Sequence, residues 1–512
     1  MEKQVSEKLI SRQAGRWLIS PRVFIVSFLV VIALIIITLS ALDHMATIYE
    51  ALRNWIVSNL GWWFILLMTL LVVFNFALAM TRFGRVRIGG NQASPEYSFF
   101  TWFAMLFSAG MGIGLIFWSV AEPVSHFANP PYGEAGTIKA AELALRFTFL
   151  HWGLQAWAVY GLVALSLAYF TYNRHLPFTI RSCFYPLMGE RIYSIYGDII
   201  DILAVVATMF GLATSLGLGA SQISTGLHVI MGIQNSLGLE IFLIIIITII
   251  ASISVFTGLN RGIKRLSQVN LGLAGLLAVF LLLLGPTLFI LNLLVQTLGD
   301  YIDNYAKISL WTDTFTPDNW QEQWTTFYWA WWISWSPYVG MFIARVSYGR
   351  SIREFLLGVL LVPSVLTFIW LAIFGGTALH GALYDNMNIV SAVKADTSDA
   401  LFSLLGHFPL HLVTSTITVL SIIIFFVTSS DSGALVIDII TAGGHLDSHF
   451  TQRIFWACMV GIIAIVLLIG GGLSALQTAS ITSGLPFSII LAFMCLSLIK
   501  ALRHDYPYKK LD

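Results

Sequence analysis

Charge is what this chain has least of. Asp, Glu, Lys and Arg make up 10% of its 512 residues, against about 25% in soluble domains. So few charges cannot clothe a water-soluble protein of this length, which excludes a soluble enzyme or binding domain. Cysteine is scarce too. Cys183, Cys458 and Cys495 lie far apart, and neither a disulfide framework nor a metal cluster is indicated. Within the apolar segments there are no paired carboxylates, no histidine cluster and no nucleophile–base set, so catalysis is not expected. His151, beside Trp152, reads as a packing or hydrogen-bonding histidine.

What the chain has is apolar surface. Hydrophobic residues reach 57%, in runs of bilayer length, since a spanning helix needs about 20 apolar residues. Hydropathy predicts an all-α polytopic membrane protein with about twelve transmembrane helices. They are placed at 23–43, 60–81, 98–121, 141–171, 198–231, 239–259, 267–298, 324–345, 355–379, 408–442, 453–473 and 480–501. The first run is too long for a secretory signal and is read as a retained helix. Basic clusters such as "TRFGRVR", "NRGIKR" and "RVSYGRSIRE" follow even-numbered spans, and acidic stretches such as "LGDYIDNYAK" lie on the other side. By the positive-inside rule both termini are cytoplasmic. These clusters report topology, and no nucleic-acid partner is expected. The connection before span eight, "YAKISLWTDTFTPDNWQEQ", is expected to include an amphipathic segment on the outer surface.

Two spans carry helix breakers. Span three holds Gly110, Gly112 and Gly114 on alternate positions, each about 1 kcal/mol worse than Ala in a helix. Span eight holds Ser336-Pro337, where proline removes a backbone donor. The two spans are five apart and so run in opposite directions. That offset predicts two five-helix units of inverted orientation, with a binding site beside the breaks. The expected organisation is a cytoplasmic tail (1–22), two peripheral helices (23–97), a first repeat (98–298) and an extracytoplasmic connection (299–323). A second repeat (324–501) and a short cytoplasmic tail (502–512) complete it.

Tryptophan is concentrated at one place. "WTTFYWAWWISWSPYVGMF", 324–342, carries Trp329, Trp331, Trp332 and Trp335, and "FLHWGLQAWAVY" in span four adds Trp152, Trp157 and Tyr160. Trp324 and Trp329 suit an interfacial belt, but the others lie deeper. Trp331 and Trp335, four apart, share a face. A quaternary ammonium binds over Trp faces at roughly 0.5–2 kcal/mol per contact. No acidic residue stands in the predicted middle of spans three, four or eight. A methylated cation needs none, whereas the carboxylate of a zwitterion needs donors. Free N–H groups at Gly112–Gly114 suit that carboxylate.

These stretches resemble the betaine/choline/carnitine transporter family. The resemblance rests on "GMGIG" followed by "AEP", "FYWAWWISWSP", "ATMFG", "FFVTSSDSGA" and "SGLPF", spread over spans three to twelve. It implies a five-plus-five inverted-repeat (LeuT-like) core, a homotrimer, a bacterial inner-membrane location and uptake of a trimethylammonium solute with sodium as coupling ion. Alternative substrates in this class are dimethylsulfoniopropionate, carnitine, choline and ectoine. Carried over by position, substrate would meet Trp152, Trp157, Tyr160, Trp331, Trp332 and Trp335, with Trp329, Phe342, Met111, Gly112, Gly114 and Ser215 lining the pocket. Choline-selective members carry aspartate where this chain has Gly114, so a betaine-like zwitterion is expected. Sodium would be held by backbone carbonyls of Ser108, Met111 and Phe425 and hydroxyls of Thr428 and Ser429. A second family sodium site uses Thr208 and a hydroxyl one turn later, where this chain has Leu212; Thr214 and Tyr338 are the groups that could rebuild it. A channel or membrane sensor is the competing class.

Overall fold

The structure, a computed structural model, describes residues 10–110, 112–257, 260–315 and 319–507. A small antiparallel hairpin, β1 (Arg12–Ala14) and β2 (Trp17–Ile19), precedes the helices. The long helices are α1 (Pro21–Ser40), α2 (Leu42–Met80), α3 (Phe99–Gly110), α4 (Ile113–Ala128), α5 (Ile138–Trp152), α6 (Leu154–Ala168) and α7 (Ile195–Met231). After them come α8 (Leu237–Thr257), α9 (Asn260–Leu284), α10 (Thr287–Ser309), α11 (Thr325–Val346), α12 (Ile352–Tyr384), α13 (His411–Thr441) and α14 (Phe450–Asp505).

Among the described residues, nine helical segments are long and apolar enough to cross a membrane. The α3–α4 pair, the tryptophan-rich α11 and the second half of α14 fall on the remaining three expected spans, 98–121, 324–345 and 480–501. α14 changes direction at Gly471 and Gly472, whose backbone is non-helical. Gly472 has φ +59° and ψ −137°, a conformation that glycine adopts without the steric cost of a Cβ.

Three expected features are corrected. Span seven ends at Leu284, not 298, because Gly285-Pro286 stops α9. The amphipathic element accordingly begins earlier, as α10, and packs on α5 and α12. Ser336-Pro337 does not break span eight: α11 runs on through Pro337. Proline leaves the Ile333 carbonyl without its usual backbone donor, and the Ser336 hydroxyl donates to that oxygen at 2.7 Å. The side chain next to the proline thus replaces the missing N–H. The break in span three is present, with Gly112 extended (φ −154°, ψ −151°) between α3 and α4.

A break that sequence reasoning missed lies between α5 and α6 at Gly153 (φ −96°, ψ −135°). It leaves carbonyls at the end of α5 free for side-chain donors. α6 and α7 each pack on α11 and α14 at the centre, and nearly all of α6 and α11 is buried. Cys183, Cys458 and Cys495 are free thiols.

Candidate functional site

α11 supplies one wall of the site. Trp331 and Trp332 stack with ring centroids 4.9 Å apart and planes 13° from parallel. Trp152, the last residue of α5, stands edge-on to Trp332 at 4.9 Å and to Trp331 at 6.4 Å. Tyr160 on α6 meets Trp332 at 6.4 Å and Trp157 at 5.6 Å. These separations are those of paired aromatic rings in contact. All five rings are buried.

The glycine break completes the arrangement. A Cβ at Gly114 would lie 2.6 Å from Trp331 Cη2 and 3.3 Å from Trp152 Cη2, so only glycine lets the start of α4 approach these rings. A Cβ at Gly112 would lie 3.7 Å from Trp335 Cη2 and 4.0 Å from Ser429 Oγ. On α7, the Gly211 carbonyl accepts from Ser215 Oγ (3.2 Å) and Trp331 Nε1 (3.4 Å), and Trp335 packs against the same glycine. Thus Trp152, Trp331, Trp332, Trp335, Tyr160, Gly112, Gly114 and Ser215 come together, with Trp157 reached through Tyr160. Trp335 Nε1 and the Tyr160 hydroxyl are buried without a hydrogen-bond partner, which leaves two donors uncommitted.

Two expected neighbours stand elsewhere. Trp329 faces His151, with centroids 5.7 Å apart, on a different side of α11. It is buried rather than interfacial, as its near neighbour Trp324 packs on Trp118 and His126. Phe342 is half-buried and, among the described residues, pairs with none of the box rings.

Of the expected sodium ligands, Met111 and the side chain of Ser108 lie outside the described residues. Thr428 Oγ1 donates to the carbonyls of Ile424 (2.9 Å) and Phe425 (3.2 Å), and the buried Ser429 places its Oγ 4.0 Å from where a Cβ at Gly112 would stand. For the second ion, Thr208 donates to Ala204 within its own helix at 2.7 Å. Thr214 is bonded across to α14, at Leu476 and Ser480, and so is not turned toward Tyr338. Leu212 packs directly on Gly433, where a Cβ would lie 2.2 Å from its Cδ1. Tyr338 packs edge-on to Trp335, with ring centroids 5.4 Å apart.

The expectation of no intramembrane histidine cluster is overturned. Glu122 on α4 is fully buried with His126 and His151. Its Oε1 meets His151 Nδ1 at 2.7 Å and His126 Nε2 at 3.2 Å. Its Oε2 accepts from Trp152 Nε1 at 2.7 Å and from the Tyr328 hydroxyl. The three titratable groups could in principle hold a metal, but four donors already fill the carboxylate's acceptor sites, so the cluster reads as a hydrogen-bond network. The sequence held the signal: Glu122 and His126 are four apart on one helix, and His151 adjoins a box tryptophan.

Similarity to known proteins follows the same outline. The profile of the betaine/carnitine/choline family of transporters matches residues 22–507. This chain belongs to that family. A glycine betaine transporter of Acinetobacter baylyi is 44% identical over 488 residues, 95% of this chain and 74% of that protein. A glycine betaine/proline/choline transporter of Vibrio parahaemolyticus is 45% identical, covering 94% of this chain and 90% of its own length. The glycine betaine transporter OpuD of Bacillus subtilis is 43% identical, with 90% of each chain aligned. The chain is therefore a multi-pass membrane protein of a transporter family.

Proposed function

We propose that this transporter imports a betaine-type zwitterion, glycine betaine foremost, by sodium symport with alternating access across the bacterial inner membrane. The observation that carries the reading is the meeting of Gly114 with Trp152 and Trp331 and of Gly112 with Trp335 and Ser429. It sets an aromatic box, a helix break and a hydroxyl-bearing helix side by side. The box suits a trimethylammonium group. The break and the uncommitted donors of Trp335 and Tyr160 suit the substrate's own carboxylate, since a buried unpaired donor costs about 1–3 kcal/mol until satisfied.

Sodium suits neutral oxygens, and Thr428 and Ser429 carry them next to the break. A hydroxyl that donates to its own helix keeps its lone pairs for a cation. With Leu212 packed on Gly433, Thr214 bonded to α14 and Thr208 bonded within α7, one sodium per substrate is the stoichiometry favoured. One charge crossing 100 mV contributes about 2.3 kcal/mol, roughly fifty-fold accumulation. A five-plus-five inverted repeat, a homotrimer and cytoplasmic termini complete the proposal, resting on the family and on the distribution of basic residues.

The test is uptake of labelled glycine betaine into proteoliposomes with sodium or potassium outside and a fixed membrane potential. Sodium-dependent uptake, blocked by unlabelled zwitterions and not by choline, is expected. Uptake indifferent to sodium overturns the symport reading, and counterflow that never appears would favour a channel or sensor. In the same assay Thr428→Ala is expected to raise the sodium concentration for half-maximal uptake several-fold; an unaltered sodium curve removes Thr428 from the ion site.

A further inference from the structure

Glu122, behind Trp152, is bonded by four side chains: His126, His151, Trp152 and Tyr328. Two of its four donors, His151 and Trp152, are the last residues of α5 before the Gly153 break. The break leaves the His151 carbonyl free, and Trp332 Nε1 donates to it at 2.8 Å. Fixing the His151 and Trp152 side chains therefore fixes the carbonyl that orients Trp332 as well. Tyr328, also bound to Glu122, packs on Trp152 at 5.6 Å and on Trp332 at 5.8 Å. One carboxylate thus sets the orientation of two box tryptophans.

Its charge matters as much as its geometry. All four partners are able to donate, the arrangement that suits a carboxylate anion. Neutral rings suffice for both histidines to complete the network. His126 donates through Nε2, and its Nδ1 has no partner to receive a further proton. His151 donates through Nδ1, and its Nε2 lies 2.9 Å from the Thr325 hydroxyl, which can donate to it. No Lys or Arg is paired with Glu122 among the described residues. A buried anion with only neutral donors around it is costly, and a cation nearby relieves that cost. Through Trp152 Nε1–H, the carboxylate also pushes electron density onto the indole whose face a cation would meet.

We infer that Glu122 is a positioning residue and the hidden counter-charge of the aromatic box, making it select a cationic head group from behind its wall. The inference rests on the betaine reading and specifies what that site measures: positive charge, rather than a trimethyl shape. Glycine betaine has a carbon isostere, 3,3-dimethylbutanoate, with the same carboxylate and an uncharged tert-butyl group in place of the trimethylammonium. The ratio of the two affinities reports the counter-charge.

The experiment measures KM and kcat for glycine betaine, and inhibition by 3,3-dimethylbutanoate, in proteoliposomes of the unaltered protein, Glu122→Gln and Glu122→Asp. The unaltered protein is expected to favour betaine over the isostere at least tenfold. Glu122→Gln, which keeps an acceptor for Trp152 but no charge, is expected to raise the betaine KM about tenfold, with kcat changed less than threefold and inhibition by the isostere little altered. Glu122→Asp is expected to retain most of the discrimination. Equal weakening of both ligands in Glu122→Gln shows a role in structure alone and overturns the counter-charge. So does equal affinity for the two ligands in the unaltered protein, a result that needs no variant to fold. Absence of betaine uptake by the unaltered protein fails the betaine reading itself; normal uptake with an unshifted ratio in Glu122→Gln fails only this inference.

Discussion

Gly114→Ala is expected to lower kcat/KM for glycine betaine uptake about thirtyfold or more. The added methyl group would lie 2.6 Å from Trp331 Cη2 and 3.3 Å from Trp152 Cη2, well inside contact distance. Neither ring has room to retreat. Trp331 is stacked on Trp332 and on Phe327 and donates to Gly211, and Trp152 is tied to Glu122. Overpacking a filled interior costs about 1–3 kcal/mol, and here the strain falls on the rings that would receive substrate. Uptake kinetics with detergent size-exclusion as a check on folding decide it. A well-folded Gly114→Ala protein with unchanged kinetics would separate Gly114 from the binding site. The same geometry bears on choline: an aspartate here would carry this clash before it could offer a charge.

The second large effect is Trp335→Ala, expected to raise the betaine KM at least about tenfold, the scale of one or two lost cation–π contacts in a desolvated site. Trp335 lies against Gly112 and Gly211, with Tyr338 edge-on at 5.4 Å, and its Nε1 is one of the two uncommitted donors. Removing the ring takes away a face for the cation and a donor for the carboxylate together. Trp335→Phe separates the two, because it keeps a π face and loses only the N–H. An intermediate KM is expected for it. A KM for Trp335→Ala equal to that of the unaltered protein removes this residue from the box.

The membrane class was legible because composition alone forbids a soluble surface, and span positions follow from runs of apolar residues. The tryptophan motif was legible too, because four such costly residues in seven positions are rare. Local signals misled where their remedy was also local but unexpected. Pro337 reads as a break, yet the neighbouring Ser336 hydroxyl repairs the helix. Gly153 carries no more sequence signal than any other glycine, yet it ends α5 and frees the carbonyl that holds Trp332. Trp329 sits within the motif but turns away from the box, since neighbouring helix positions differ by about 100° in direction.

The sequence by itself determined the solvent this protein lives in, the helical content that follows, the family, and the residue types of a box for a methylated cation. Those are set by composition and by short-range periodicity, which read along one strand of chain. The tertiary structure alone decided which rings meet, that Leu212 packs on Gly433, that Thr214 serves α14, and that Glu122 stands behind Trp152 with two histidines. Those facts join residues up to 266 positions apart, as in the Thr214–Ser480 bond. Nothing in the local sequence fixes such distances; they are fixed when helices pack ridge against groove and buried polar groups find the partners that water no longer provides.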